Sequence, residues 1–341
     1  MSKYTVIGAG SFGTAIAQIL TDNDNEVMIY TRNKICKDEI NNERTNKRFF
    51  DNLVFDNNVI ATNSLEDAIK YSNNIIIALP SGEIRNVLKD INLIIDEPKL
   101  FISVSKGIEP HTNSMISDII EEEIDINKRK GLVILSGPSF AEELVLRHYT
   151  GMLSVSSDEE LAIEVQKAFS NEYLRLYTST DLIGVQIAGT VKNILAIASG
   201  VVCGMGYGDN TRALLLTRGL HEMYRYGVVK GGKPETFYGL AGAGELILTA
   251  GSLHSRNYQT GLKIGQDMDA NEAVASSKTV VEGVRAALAI HLDAESLGID
   301  MPITKEVYNL FYNNKDPKFA ISDLINRELK PEKHDVVVRR K

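Results

Sequence analysis

The stretch YTVIGAGSFGTAIAQIL, residues 4–20, sets the architecture of the chain. Its first part, YTVIG at 4–8, is a short apolar run rich in β-branched residues, the composition of a buried parallel strand. GAGSFG follows at 8–13, and TAIAQIL at 14–20 carries helical spacing and good helix formers. Glycines therefore stand at Gly8, Gly10 and Gly13, as G-x-G-x-x-G between a strand and a helix. In that setting Gly8 permits the tight turn, Gly10 lets backbone approach a pyrophosphate, and Gly13 brings helix close to sheet. The helix N-terminus then offers N–H groups and partial positive charge to phosphates. Without its flanks, the same pattern is only a glycine-rich turn.

Beyond this stretch, EVMIY at 26–30 reads as the second strand. A site that prefers NAD places Asp or Glu near the end of this strand, to bind the ribose 2′-hydroxyl. Here the end reads Tyr30, Thr31, Arg32, without an acid. Arg32 can meet a 2′-phosphate instead, which favours NADP over NAD; the competing reading is a surface arginine. Further strand-like runs are NIIIALP (74–80), LFISVS (100–105) and LVILSG (132–137), with helical segments SLEDAIKYS (64–72) and SGEIRNVLKDI (81–91) between them. Alternation of this kind predicts an open, mostly parallel, doubly wound sheet of the Rossmann type, with helices on both faces. Ligands of such sheets bind beyond the C-terminal strand ends. Three turns fall there: Pro80-Ser81-Gly82, Lys106-Gly107 and Gly137-Pro138-Ser139. Lys106 leaves a buried strand at this edge, where it can attract an anionic substrate.

After YLRLYTSTD (173–181) the strand pattern stops and helical segments dominate. We place a domain boundary there, giving a dinucleotide-binding domain at 1–180 and an all-α domain at 181–341. The first helix of the second domain spans roughly 181–203 and contains AGTVKNILAIASGVV (188–202), apolar on nearly every side except for Lys192 and Asn193. An ammonium in such a tract either snorkels to water or belongs to a site. Its neighbours at helical spacing are Ala188, Gly189, Leu195 and Ala196, mostly small residues that leave room for a ligand. A desolvated lysine shifts toward neutrality and can give and take a proton near physiological pH.

Two later stretches belong with it. LAGAGELILT (240–249) is a glycine-rich lead into a helix and holds Glu245 among apolar residues, where a carboxylate is either paired or costly. A paired Glu245 could orient Lys192; alternatively it is a helix N-terminal acid favoured by the dipole. HSRNYQTGLKIG (254–265) places Ser255, Arg256 and Asn257 at a helix start, a grouping suited to a phosphate monoester or, more simply, to an N-cap beside a surface arginine.

Together the motifs resemble those of the NAD(P)-dependent sn-glycerol-3-phosphate dehydrogenases, and more closely their bacterial branch. The matching pieces are GAGSFGTAIA, SKGIE (105–109), SGPSFAEE (136–143), TVKNILAIASG (190–200), GYGDNTRALLLTRGLHEM (206–223), GLAGAGELILT (239–249), SRNYQTG (255–261) and VVEGV (280–284), in the family's order over nearly the whole chain. The resemblance implies that Lys192 gives and takes the proton, with Lys106, Gly137, Ser139, Glu245, Ser255, Arg256 and Asn257 lining the glycerol phosphate site. It also implies that Ser11, Phe12, Arg32, Lys106, Ala141, Arg256, Val280 and Glu282 contact the nicotinamide cofactor. It carries a homodimer and a role in supplying glycerol 3-phosphate for phospholipid synthesis. Phe12 stands where the branch often has a larger aromatic residue. Glu245 stands where the family usually has Asp, and its extra methylene leaves the hydrogen bond to Lys192 or substrate an open question of geometry.

Composition sets the outer bounds. The 341 residues carry a net charge of −8, which gives no electrostatic footprint for nucleic acid. The short basic tail VVVRRK (336–341) reads as a solvated end. Two cysteines, Cys36 and Cys203, build no disulfide framework and suit a reducing compartment. MSKY runs straight into the first strand without a signal-peptide apolar region, so the expectation is a cytoplasmic protein without membrane insertion. Six histidines show no HExxH pairing, and no metal is expected. Two other functions share these features: a related dehydrogenase acting on a hydroxy acid, and a dinucleotide-sensing protein without turnover.

Overall fold

The structure is a computed structural model that describes residues 1–109, 112–277, 280–329 and 331–332; the tail at 336–341 lies outside the described residues. The chain divides into two compact units, Met1–Leu182 and Ile183–Lys341.

The first unit alternates strands and helices. Its elements are β1 (Lys3–Ile7), α1 (Ser11–Asp22), β2 (Glu26–Tyr30), α2 (Lys34–Glu43), β3 (Val59–Thr62), α3 (Leu65–Tyr71), β4 (Asn74–Ile77) and α4 (Ser81–Ile94). They are followed by β5 (Lys99–Ser103), α5 (Ile116–Glu123), β6 (Arg129–Ser136), α6 (Ala141–Val145), β7 (Thr150–Val155), α7 (Glu159–Phe169) and β8 (Leu174–Ser179). The eight strands form one sheet in the order β3-β2-β1-β4-β5-β6-β7-β8. Pairing is parallel from β3 to β6, antiparallel between β6 and β7, and parallel again between β7 and β8. Val6, Ile29, Ile76 and Ile102 are fully buried in it, because helices cover both faces of a parallel sheet.

Strand order reverses between β1 and β4, the switch point at which open α/β sheets leave a crevice. The glycine turn sits at this point. The Gly8 amide donates to the Tyr30 carbonyl at 3.0 Å, and the Ala78 amide donates to Ile7 at 3.0 Å. Gly8 has φ +119°, and a side chain there would strike the Ala78 carbonyl; a Cβ on Gly13 would collide with the Gly8 carbonyl. The close turn and the close helix are therefore both present.

Two strands have no counterpart among the expected ones: VIAT at 59–62 and TGMLSV at 150–155. The run expected at 74–80 ends as a strand at Ile77, since Pro80 caps α4 and Ser81 begins it.

The second unit consists of α8 (Leu182–Gly204), α9 (Asp209–Val229), α10 (Pro234–Tyr238), a π-helical turn at Leu240–Gly244, α11 (Glu245–Thr249) and α12 (Arg256–Gly265). Then come α13 (Ala270–Ala275), α14 (Glu282–Leu297), α15 (Pro302–Tyr312) and α16 (Pro317–Ile325). Helix α8 is long and apolar enough to cross a membrane, with mean hydropathy 1.5, yet 89% of that apolar window is buried within the protein. It is a core helix. Glu222 of α9 caps the start of α15, accepting from the amides of Ile303 (2.6 Å) and Thr304 (3.1 Å) and from the Thr304 hydroxyl (3.1 Å). Burial pushes its carboxyl up to about 7.

Candidate functional site

The predicted site residues fall into two groups, one in each unit. In the first unit they gather at the C-terminal ends of the strands. Gly10 is the N-cap residue of α1, and no side chain caps that helix or places an acid in its first turn. Its leading N–H groups, from Ser11 onward, thus face the switch point without a competing carboxylate. A Cβ built on Gly10 meets nothing within 4 Å, so the space over its backbone is open. A dinucleotide pyrophosphate fits this terminus by charge, by hydrogen bonding and by room.

Around it, the Lys106 ammonium lies 5.9 Å from the centre of the Phe12 ring and donates to the Gly137 carbonyl at 3.4 Å. The Ser139 hydroxyl donates to the same carbonyl at 3.0 Å. Phe12, Lys106, Gly137 and Ser139, which come from three separate motifs, are therefore neighbours. Ala141 is buried at the start of α6. Arg32 lies in the segment after β2 and makes an exposed ion pair with Glu83 of α4 at 3.1 Å.

The Lys106 loop is fixed from two sides. The Ser105 hydroxyl donates to the Leu79 carbonyl at 2.7 Å and accepts from the Leu79 amide at 3.2 Å. Glu109, 7% exposed, takes a forked pair of hydrogen bonds from Arg85, with Nε and Nη2 each at 2.8 Å. Arg85 also meets Glu122 at 2.7 Å and pairs with Glu123. The guanidinium holds the Glu109 carboxyl below the usual carboxylate range. The SKGIE motif contains Glu109 but gives it no role, and Arg85 lies outside every motif. A lone arginine in a helix carries no sequence signal of its distant partners.

In the second unit, the π-helical turn LAGAG delivers Glu245 to the start of α11. Its carboxylate is fully buried and hydrogen-bonded to the Lys192 ammonium, which is 6% exposed. Lys192 also donates to the Thr249 hydroxyl at 3.0 Å. The longer glutamate side chain thus still reaches the lysine. Thr249 joins this pair without being singled out by the sequence, although it stands one helical turn beyond Glu245 at the end of LAGAGELILT.

Close by in sequence and space, the Asn193 amide donates to Glu282 at 3.3 Å, and Asn257 accepts from the Gly283 amide at 2.9 Å. The start of α14 is therefore held by Asn193 and Asn257. Ser255 is the N-cap of α12, its hydroxyl accepting from the Tyr258 amide at 3.3 Å. Arg256 is exposed, and Val280 is 46% exposed.

A doubly wound sheet with this glycine turn at its switch point defines a Rossmann-type dinucleotide-binding unit, here followed by a helical unit built around a buried lysine. The particular family follows from comparison. Residues 3–162 match the model of the NAD-dependent glycerol-3-phosphate dehydrogenase N-terminus, and residues 181–322 match that of the C-terminus. The chain is 45% identical over 331 residues to the glycerol-3-phosphate dehydrogenase (NAD(P)+) of Listeria monocytogenes serotype 4b, covering 97% of this chain and 98% of that one. It is equally 45% identical over 332 residues to the enzyme of the same name from Clostridium botulinum, with 97% and 99% covered. Among solved structures, the glycerol-3-phosphate dehydrogenase of Coxiella burnetii superposes with TM-score 0.89 at 32% identity, covering 96% of this chain and 99% of that chain. The chain belongs to the NAD-dependent glycerol-3-phosphate dehydrogenase family.

Proposed function

We propose that the protein interconverts sn-glycerol 3-phosphate and dihydroxyacetone phosphate with NAD or NADP, and so supplies glycerol 3-phosphate for phospholipid synthesis. The observation that carries this reading is the buried Lys192–Glu245 pair in a chain of this family. When bound, the reduced nicotinamide supplies the hydride for the substrate carbonyl carbon. Lys192 gives its proton to the carbonyl oxygen as alkoxide charge builds, and takes it back in the reverse direction. The buried Glu245 carboxylate accepts a hydrogen bond from Lys192 and holds its ammonium in place for the reduction. Thr249 fixes the direction of the ammonium, which matters because misplacement near 1 Å can cost ~10²-fold in rate.

Arg256, with Ser255 and Asn257 beside it, binds the phosphate, a group that never reacts and whose binding orients the carbonyl. Lys106, Gly137 and Ser139 complete the substrate side. The turn at Gly8, Gly10 and Gly13, with Ser11 and Phe12, holds the pyrophosphate and the cofactor body. Arg32, Ala141, Val280 and Glu282 are assigned to the same ligand, with Arg32 favouring the 2′-phosphate of NADP. A homodimer and a cytoplasmic setting belong to this reading, the latter supported by the two free cysteines.

The test is absorbance at the reduced-nicotinamide band, with purified protein, dihydroxyacetone phosphate and NADPH or NADH. Consumption that requires the phosphate ester is the expected result. Consumption with a 2-keto acid but not with the phosphate ester would move the assignment to a hydroxy-acid dehydrogenase.

A further inference from the structure

One ion pair in the first unit joins a residue assigned to the cofactor, Arg32, to one that has no assigned role, Glu83. Arg32 follows β2, and Glu83 stands in the first turn of α4, after β4. Since β2 and β4 are the two neighbours of β1, the pair joins the segments flanking the strand that ends in the glycine turn. Its side chains are 70% and 49% exposed, so the pair is weak and exchangeable.

In a dinucleotide site of this type, the end of the second strand meets the adenosine ribose. An acid there accepts the 2′-hydroxyl, and an arginine there receives the 2′-phosphate. This chain has the arginine, but a carboxylate from another element lies 3.1 Å from it. A 2′-phosphate must take the guanidinium from Glu83 and then sit beside that negative charge. A 2′-hydroxyl meets neither penalty.

We propose that Glu83 is a specificity-determining residue: by holding Arg32 it lowers the preference for a 2′-phosphorylated dinucleotide and keeps the unphosphorylated one competitive. The acid missing from the end of β2 is made up from α4. This rests on the proposed function only in taking the ligand to be a nicotinamide dinucleotide.

The test is a binding titration of the full chain with NADPH and with NADH, read by reduced-nicotinamide fluorescence and without any substrate. Glu83→Gln should tighten NADPH by about three- to tenfold while NADH stays within about twofold. The gain should shrink near 1 M salt, where the Debye length is about 3 Å. It should also shrink in an Arg32→Ala background, which by itself weakens NADPH more than NADH. An unchanged ratio of the two dissociation constants in Glu83→Gln, whether both move together or neither moves, overturns the proposal. Wild-type protein that binds both nucleotides but never reduces dihydroxyacetone phosphate sinks the reaction and leaves this test standing. Protein that binds neither sinks both.

Discussion

Lys99, at the start of β5, is 1% exposed, and Lys192, in the middle of α8, is 6% exposed. Both ammonium groups are hydrogen-bonded and both have a glutamate partner. The partners differ. Lys99 bonds to the Asn73 side chain at 2.7 Å and to Glu97 at 3.2 Å, and Glu97 is 57% exposed. Its side chain is buried along its whole length, but the carboxylate that pairs with it stands largely in solvent. Lys192 meets Glu245, which has no exposed surface, and Thr249, which is also buried. Burial of the cation alone therefore does not separate the two lysines; under the proposed function, Lys192 is set apart because its partner is buried too, which keeps charge and geometry from water.

That contrast should show most strongly in stability. Lys192→Met leaves Glu245 without its ammonium and should lower unfolding free energy by about 3–5 kcal/mol in urea denaturation. Adding Glu245→Leu should restore most of that stability without restoring turnover. A double variant no more stable than the single one would break the claim that the pair is a dry, mutually dependent unit. By contrast, Lys99→Met should cost about 1–3 kcal/mol, for a side-chain partner left unsatisfied, and should leave turnover per folded molecule unchanged. Loss of turnover at normal stability in that variant would erase the distinction between the two lysines.

Smaller effects refine the picture. Arg85 fixes Glu109, three residues beyond Lys106, and under the proposed function this makes it a positioning residue. Arg85→Ala should raise KM for the phosphate substrate by about three- to tenfold with kcat little changed. Arg85→Lys should recover only part of this, since an ammonium cannot reproduce the forked contact. A fall in kcat with unchanged KM would remove Arg85 from that role.

Glu222 is another buried ionisable group, held by backbone N–H groups of α15 rather than by an ammonium. Its carboxyl is raised to about 7, so the folded chain holds a proton that the unfolded chain has already lost above its ordinary value of ~4.3. Its contribution to stability is full below that value and is lost as pH rises through about 7. Glu222→Gln should flatten this part of the fall in Tm between about pH 5 and 8. A Tm profile parallel to wild type would contradict the assignment.

How much of this is legible in the sequence follows from the range of each interaction. The strand, glycine turn and helix at 4–20 are local, and local periodicity reveals them with the parallel sheet around them. The antiparallel entry of β7 beside β6 is not legible, because a six-residue strand carries no mark of its direction. Lys192 and Glu245 are each conspicuous as charges in apolar runs, yet their contact spans 53 positions and depends on the π-helical turn at 240–244. Arg85 and Glu83 give no signal at all. Charged residues on amphipathic helices look alike until the fold supplies their partners.

Whether Lys192 carries the proton can be decided by following NADPH absorbance with dihydroxyacetone phosphate for wild-type protein and the Lys192→Met/Glu245→Leu variant, both checked for folding and NADPH binding. We expect substrate-dependent consumption by the wild type and a loss of about 10²–10⁴-fold in the variant. A folded, cofactor-binding variant that turns over at the wild-type rate would contradict the assignment of Lys192.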